Sequence, residues 1–201
     1  KTLNIPFIIY ENNIQIGKSN KYLLPFAYKI FISYKDLAGV KNKYDHKVIV
    51  TGNIIREEIL NFKKTNRFNS EILNILVLGG SQAAKSFGEL LPRVFEQCIE
   101  KNIKIRIFQQ CNESQTIQLN KIYKNLNFNF ELFNFTNNIL EYFSKTELVI
   151  TRSGSSATAE LINCNIPFIC IPYPHAADSH QDKNATYFEK KGYSILVKER
   201  E

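Results

Sequence analysis

Apolar and polar positions alternate along this chain in short blocks, each about the length of a strand or a few helical turns. Residues 6–10, 29–33 and 48–51 are brief apolar runs that predict strands, with a helix expected over 20–27. Residues 61–70 are polar and charged without periodicity and read as a linker. Beyond them, Ile75-Leu76-Val77-Leu78 is a continuous apolar run of the kind buried on both faces of a parallel sheet. It ends at Gly79-Gly80, and a helix is expected next, with Phe87, Leu90, Leu91, Val94 and Cys98 on one face. Ile103, Ile105 and Ile107 alternate as a strand, as do Phe128, Phe130 and Leu132. Residues 148–151, 167–171 and 194–197 predict three more strands, accompanied by helices over 138–144, 156–162 and 182–191. Repeated β-α units of this size predict an α/β fold, with largely parallel sheets flanked by helices. Ligands of such sheets bind beyond the carboxyl ends of the strands.

Composition narrows the classes. The 201 residues are 44% hydrophobic, ample for a packed core, yet no apolar run reaches the ~18 residues of a membrane span. The first residues, from Lys1 on, have no apolar stretch of signal-peptide type, and the chain has no Met at all, so it reads as a piece of a longer protein. Cys98, Cys111, Cys164 and Cys170 lack C-x-x-C spacing and are expected as free thiols in a reducing compartment, not as metal ligands. The net charge of +7 is uneven: residues 1–67 hold 12 Lys/Arg against 5 Asp/Glu, while the remainder is balanced at 14 of each. A basic first portion suits an anionic partner such as a phospholipid surface or a phosphorylated substrate. An ordinary solvated surface is the competing reading. No basic motif interleaved with aromatics marks a nucleic-acid module.

The candidate chemistry gathers at predicted strand ends. Arg152-Ser153-Gly154-Ser155-Ser156-Ala157-Thr158-Ala159-Glu160 follows one strand, and Pro172-Tyr173-Pro174 leading to His180-Gln181 follows the next. Small residues let backbone approach phosphate, and the helix that follows offers N–H groups and the positive end of its dipole, as a nucleotide diphosphate requires. Glu160, one turn in, is placed to accept from ribose hydroxyls. Well-capped strand-to-helix turns would look the same. Gly79-Gly80-Ser81-Gln82 is neither a Walker loop nor a full G-x-G-x-x-G, and Ser81 could meet an anionic oxygen or simply cap a helix. Arg56, after Thr51-Gly52-Asn53, could meet phosphate or be a surface side chain. Tyr10-Glu11-Asn12-Asn13 suits sugar hydroxyls or an acetamido group, or is a polar turn. His175, Asp178 and His180 lack a further ligand for zinc, and no G-x-S-x-G elbow is present.

Taken in order, these pieces resemble the MurG family of UDP-N-acetylglucosamine transferases. The resemblance is carried by Glu11-x-Asn13, Val50-Thr51-Gly52-Asn53-x-x-Arg56, Leu76-Val77-Leu78-Gly79-Gly80-Ser81-Gln82, Arg152-Ser153-Gly154 with Glu160, and Pro172-Tyr173-Pro174 with His180-Gln181-x-x-Asn184-Ala185. It implies the GT-B architecture of two Rossmann-like domains, the first incomplete here. Residues 1–60 would be the end of the acceptor-side domain, 61–70 the linker, and 71–201 the donor domain. It further implies an inverting transfer of N-acetylglucosamine from UDP-N-acetylglucosamine to lipid I, at the cytoplasmic face of a bacterial inner membrane. No cofactor is expected, and no carboxylate pair suited to holding a metal on the diphosphate is apparent, so no protein-bound metal is expected.

By the same resemblance, Asn13 and Arg56 contact the donor from the acceptor side, Ser81 lies near the diphosphate, and the backbone at Thr136 reads the uracil. Ser155, Ser156, Ala157, Thr158 and Ala159 form the donor-binding turn, Glu160 holds the ribose, and Gln181 meets the N-acetylglucosamine. The family's Gly-Gly-Thr-Gly-Gly-His loop has no counterpart in these residues, so the general base is expected N-terminal to Lys1. His-Glu-Gln-Asn becomes Tyr10-Glu11-Asn12-Asn13, and Gly-Gly-Ser-Gln-Gly-Ala becomes Gly79-Gly80-Ser81-Gln82-Ala83-Ala84. Another GT-B glycosyltransferase, or a nucleotide-binding piece without turnover, are the alternatives.

Overall fold

Two parallel sheets, one of three strands and one of six, organise the molecule. The computed structural model describes residues 5–64, 71–174, 176 and 179–199, with 80–84 described as helix backbone only. In the first sheet β1 (Ile8–Glu11), β2 (Lys29–Ile32) and β3 (Val48–Val50) lie side by side in chain order. The expected helix over 20–27 is shorter: α1 spans Lys18–Leu23. Pro25 lacks an N–H and disfavours helical backbone before it, which ends the run. The carbonyls left open there are capped by Lys47 Nζ, which donates to Pro25 O at 3.0 Å and Ala27 O at 2.7 Å.

The second sheet contains β4 (Leu73–Leu78), β5 (Ile105–Gln110), β6 (Asn129–Phe133), β7 (Leu148–Thr151), β8 (Phe168–Cys170) and β9 (Ser194–Leu196). Their spatial order is β6-β5-β4-β7-β8-β9, every pair parallel. The chain runs outward from β4 to β6, then crosses back to place β7 on β4's other side. The crevice at the carboxyl ends of β4 and β7 is therefore the point where strand order reverses, the usual ligand position in open α/β sheets.

The apolar run at β4 divides between two cores. Ile75 and Val77 face Phe87, Leu91 and Phe95 of α3 (Gly80–Glu100) and Leu119 and Tyr123 of α4 (Glu113–Asn125). Leu76 faces the opposite core, with Phe143 of α5 (Ile139–Lys145), Leu161 of α6 (Ser155–Asn163) and Phe188 of α7 (His180–Lys190). Each fully buried Leu or Phe contributes about 1.5–3 kcal/mol, so loss of any one is felt throughout its layer. Along α3 the buried row is Phe87-Leu91-Phe95; Leu90 and Val94, expected inside, are exposed. The sheet takes the row one step round the helix from the expected one. The pattern of apolar positions did not reveal α4, whose polar run buries only Leu119 and Tyr123.

A short helix, α2 (Glu57–Leu60), joins the sheets. Ile59 is completely buried in the core of the second sheet, and Asn163 Nδ2 donates to its carbonyl at 2.8 Å. The chain thus enters the second core just before the expected linker. Phe62 packs there too, and Lys64 Nζ donates to Thr146 O, while residues 65–70 lie outside the described residues. Tyr34, after β2, stands edge-on to Tyr187 of α7 at 5.4 Å, and burial pushes its hydroxyl up to about 12.

Candidate functional site

Strand ends and the turns after them enclose a cavity of about 570 Å³ in the crevice beside β4 and β7. Leu78 and Gly79 close β4, Gln110 ends β5, and Phe133, Phe135 and Thr136 follow from β6. Thr151, Arg152, Gly154, Ala157 and Glu160 come from β7 and α6, and Tyr173 and Gln181 from the β8–α7 connection. Four expected site residues, Thr136, Ala157, Glu160 and Gln181, thus share one cavity.

The turn into α6 leaves backbone donors open. Gly154 is extended, and no side chain caps the helix. The first N–H groups of α6 carry the positive end of its dipole and have no intrahelical acceptor. Ser155 is buried in this first turn and Ser156 is exposed beside it. Thr158 and Ala159 stand behind the turn: both are buried, and Thr158 Oγ1 donates to Gly154 O at 2.9 Å. Their side chains brace the turn, so any ligand contact from them is through backbone. Ser81 lies in the first turn of α3, but its side chain is outside the described residues, as are His175 and Asp178. The general base expected N-terminal to Lys1 also falls outside them: Lys1 itself is not described, and the described residues begin at Ile5.

Arg152 anchors the floor. Its buried guanidinium donates to Ile171 O and Pro172 O, both at 3.1 Å, to Ser86 Oγ at 2.6 Å and to Glu199 Oε2 at 2.9 Å. It also stacks over Phe87, 4.5 Å from the ring centroid. The β8–α7 connection is tied down from the same turn: Ser153 Oγ donates to Gln181 O at 2.8 Å, and Gln181 Oε1 accepts from Tyr173 N at 2.9 Å. Gln181 itself lines the cavity. Just before it, Ser179 holds a left-handed backbone, φ 53°, a conformation costing a side-chain-bearing residue about 1–2 kcal/mol.

The first sheet contributes its own loop. Glu11, buried at the end of β1, accepts from Asn13 N, Asn13 Nδ2, Gly17 N and Asn20 Nδ2 at 2.9–3.1 Å. Four donors on one carboxylate fold the 11–20 segment around it. Asn13 is therefore positioned by Glu11 on one side and, on the other, by Asn184 Nδ2, which donates to its Oδ1 at 3.1 Å. Neither Asn13 nor Arg56 lines the cavity, but Arg56 reaches its rim. Arg56 Nε and Nη2 donate to the two oxygens of Glu160 at 3.1 and 3.2 Å. That pairing, through its hydrogen bond first, raises the arginine above its ordinary pKa.

Phe135 and Gln110 are cavity residues that the sequence motifs did not mark. Phe135 is 76% exposed yet lines the cavity, an aromatic held in water where a base could cover it. Gln110 also lines the cavity, as does Tyr173 of the expected Pro172-Tyr173-Pro174 loop. Strand-end position was the signal available for Gln110. Among the described residues no group of three His, Cys, Asp or Glu side chains could hold a metal.

Known proteins share the sequence and fold of this chain. The model of the glycosyltransferase family 28 C-terminal domain matches residues 74–201. A protein of Pelagibacter ubique (strain HTCC1062) is 35% identical over 201 residues, covering 100% of this chain and 56% of its own length. One from Rickettsia canadensis (strain McKiel) is 39% identical over 198 residues, covering 96% of this chain and 56% of its own. Both are named UDP-N-acetylglucosamine--N-acetylmuramyl-(pentapeptide) pyrophosphoryl-undecaprenol N-acetylglucosamine transferase. The chain thus spans little more than half the length of these relatives. The crystal structure of Acinetobacter baumannii MurG superposes with a TM-score of 0.79 at 25% identity, covering 99% of this chain and 55% of that one. The parallel sheets are the Rossmann-like fold of GT-B glycosyltransferases. The chain belongs to glycosyltransferase family 28, whose C-terminal domain it carries, and within that family it resembles the MurG transferases.

Proposed function

We propose that the cavity between Leu78 and Gln181 holds the UDP-N-acetylglucosamine donor of an inverting transferase whose acceptor is lipid I. The observation that carries this reading is the meeting of Thr136, Ala157, Glu160 and Gln181 beside the uncapped start of α6. The base lies by Phe135 and the backbone of Thr136, the ribose hydroxyls donate to Glu160, and the diphosphate faces the α6 N–H groups. Gln181 then meets the sugar.

Transfer needs charge stabilisation where it develops. As the acceptor's sugar hydroxyl attacks the anomeric carbon, the bond to UDP breaks and its oxygen gains negative charge. Fixed N–H dipoles at the start of α6 oppose that charge without reorganising. Glu11, the carboxylate at the end of β1, is already the acceptor for four donors, so it is not assigned as the base that takes the hydroxyl proton.

The donor-domain reading of residues 71–201 and the acceptor-domain reading of 1–60 belong to this proposal. So does attachment to the cytoplasmic face of an anionic membrane. No described helix is long and apolar enough to cross a bilayer. Tyr22, Leu23, Phe26 and Tyr28 stand exposed beside Lys18 and Lys21, a mixture that suits the headgroup boundary. Calorimetry of the chain with UDP, with ADP as control, tests the donor site. Selective binding of UDP is expected, and absence of UDP binding would overturn the reading.

A further inference from the structure

Glu160 lines the cavity, yet one edge of its carboxylate is already taken. Both of its oxygens accept from one guanidinium, Arg56 Nε at 3.1 Å and Nη2 at 3.2 Å, across 104 residues of chain. Two parallel N–H donors on one carboxylate have the pattern that a vicinal diol presents with its two O–H groups. On the reading that Glu160 receives the ribose, the arginine and the ribose ask for the same acceptor sites. A carboxylate can take four donors, as Glu11 does, but the guanidinium lies along the edge between the two Glu160 oxygens, and the lone pairs left over point away from each other, so one diol cannot bind through both hydroxyls while the arginine stays.

We infer that Arg56 is a built-in competitor for the ribose carboxylate, displaced when a nucleotide enters. The inference rests on the donor-site reading and adds a regulatory step to it.

The local geometry suits exchange. The pair is at the rim, with 46% of the Arg56 side chain and 20% of that of Glu160 exposed, so water reaches both partners as they part. A second carboxylate is within reach: Arg56 Nη1 already donates to Glu58 Oε1 at 3.2 Å. An arginine leaving Glu160 keeps an ion pair with Glu58 and is never stranded. The backbone does not need to move, because Ile59 is buried and its carbonyl is held by Asn163 at 2.8 Å. Release is a rotation of the side chain about α2's fixed start. The freed guanidinium then stands beside a ligand that carries a diphosphate, and charge attraction replaces what was lost. A neutral nucleoside offers no such replacement. Arg56 therefore penalises uridine while favouring UDP, and it sharpens selection for the charged ligand.

The test measures uridine and UDP affinities by displacement of a fluorescent UDP conjugate, for the unaltered chain and for Arg56→Gln, at low and high salt. Arg56→Gln is expected to bind uridine about two- to fivefold more tightly, the gain available from removing a half-exposed ion pair. The ratio of UDP to uridine affinity should fall in the same variant. Uridine carries no charge, so its affinity for the unaltered chain should rise with salt as the pair is screened, and that rise should vanish in Arg56→Gln. Uridine affinity unchanged or lowered by Arg56→Gln, with UDP still bound, would overturn the competitor role and leave the donor site standing. No UDP binding by either protein would instead remove the donor site, and the competitor role with it.

Discussion

Asn184 on α7 donates through Nδ2 to Asn13 Oδ1 at 3.1 Å, joining two positions 171 residues apart. The same amide donates to Ser153 O at 3.1 Å, and its Oδ1 accepts from Ile14 N at 3.1 Å. One buried side chain thus links the loop after β1 to the turn after β7 that carries the candidate anion site. Replacing it by Ala strands the Ile14 N–H and the Ser153 carbonyl. Each buried group left without a partner costs about 1–3 kcal/mol, so Asn184→Ala should lower stability by about 2–4 kcal/mol. Denaturant unfolding measures this. A loss under ~0.5 kcal/mol would mean that water enters and replaces the amide.

Glu160 is expected to distinguish ribose from deoxyribose. Glu160→Ala should weaken UDP binding by about 1.5–3 kcal/mol, the range for hydrogen bonds to a charged group, and the preference for UDP over 2′-deoxy-UDP should collapse with it. Calorimetry with both ligands checks the pair of effects. Retained discrimination would limit Glu160 to pairing with Arg56.

Much of this was legible in the sequence, for identifiable reasons. Strands buried on both faces, such as Leu73–Leu78, announce themselves as unbroken apolar runs. The turn at Gly154 was visible because small residues follow a strand and precede a helix. The helix Glu113–Asn125 was not, because Ile117 is 84% exposed and breaks the apolar stripe, leaving only the Asn112 cap as a signal. Asn112 Oδ1 does accept from Gln115 N at 3.1 Å. The Arg56–Glu160 pair was illegible for a different reason. Each residue was singled out as a ligand contact, and nothing in local spacing says that two such residues meet across the cleft.

Alkaline pH should destabilise the fold. Burial pushes the Cys164 thiol up to about 11, that of Cys170 up to about 12 and the Tyr34 hydroxyl up to about 12. Unfolding returns these groups to ordinary values, so above them the unfolded chain has lost protons that the folded chain retains. Stability then falls as pH rises, from about pH 9 for the thiols and about pH 10 for the tyrosine, up to their folded values. Chemical denaturation across pH 8–11 should show a midpoint that declines above roughly pH 9, and Cys164→Ser with Cys170→Ser should flatten the lower part of that decline. A midpoint constant to pH 11 would contradict it.

Membrane attachment is expected to depend on both charge and apolar surface. Lysines 18, 21, 41, 43 and 47 all lie in the basic first portion, but Lys47 is committed to the carbonyls of Leu24, Pro25 and Ala27. Neutralising it would damage α1 and confuse the result. The informative variant changes Lys18 and Lys21 to Gln and Tyr22 and Phe26 to Ser. Each surface lysine near an anionic bilayer contributes on the order of 1 kcal/mol at physiological salt, so co-sedimentation with anionic vesicles should drop by about tenfold or more. Equal sedimentation of both forms would assign the basic excess to solvated surface.

A uridine diphosphate is proposed to lie in the crevice beside β4 and β7. A crystal structure of this chain grown with UDP tests it most directly. Uracil is expected against Phe135 and the backbone of Thr136, both ribose hydroxyls within hydrogen-bond distance of Glu160, Arg56 turned away from that carboxylate, and the diphosphate at the first turn of α6. UDP bound elsewhere, or bound in the cavity with its ribose away from Glu160 and the Arg56 pair intact, would contradict it.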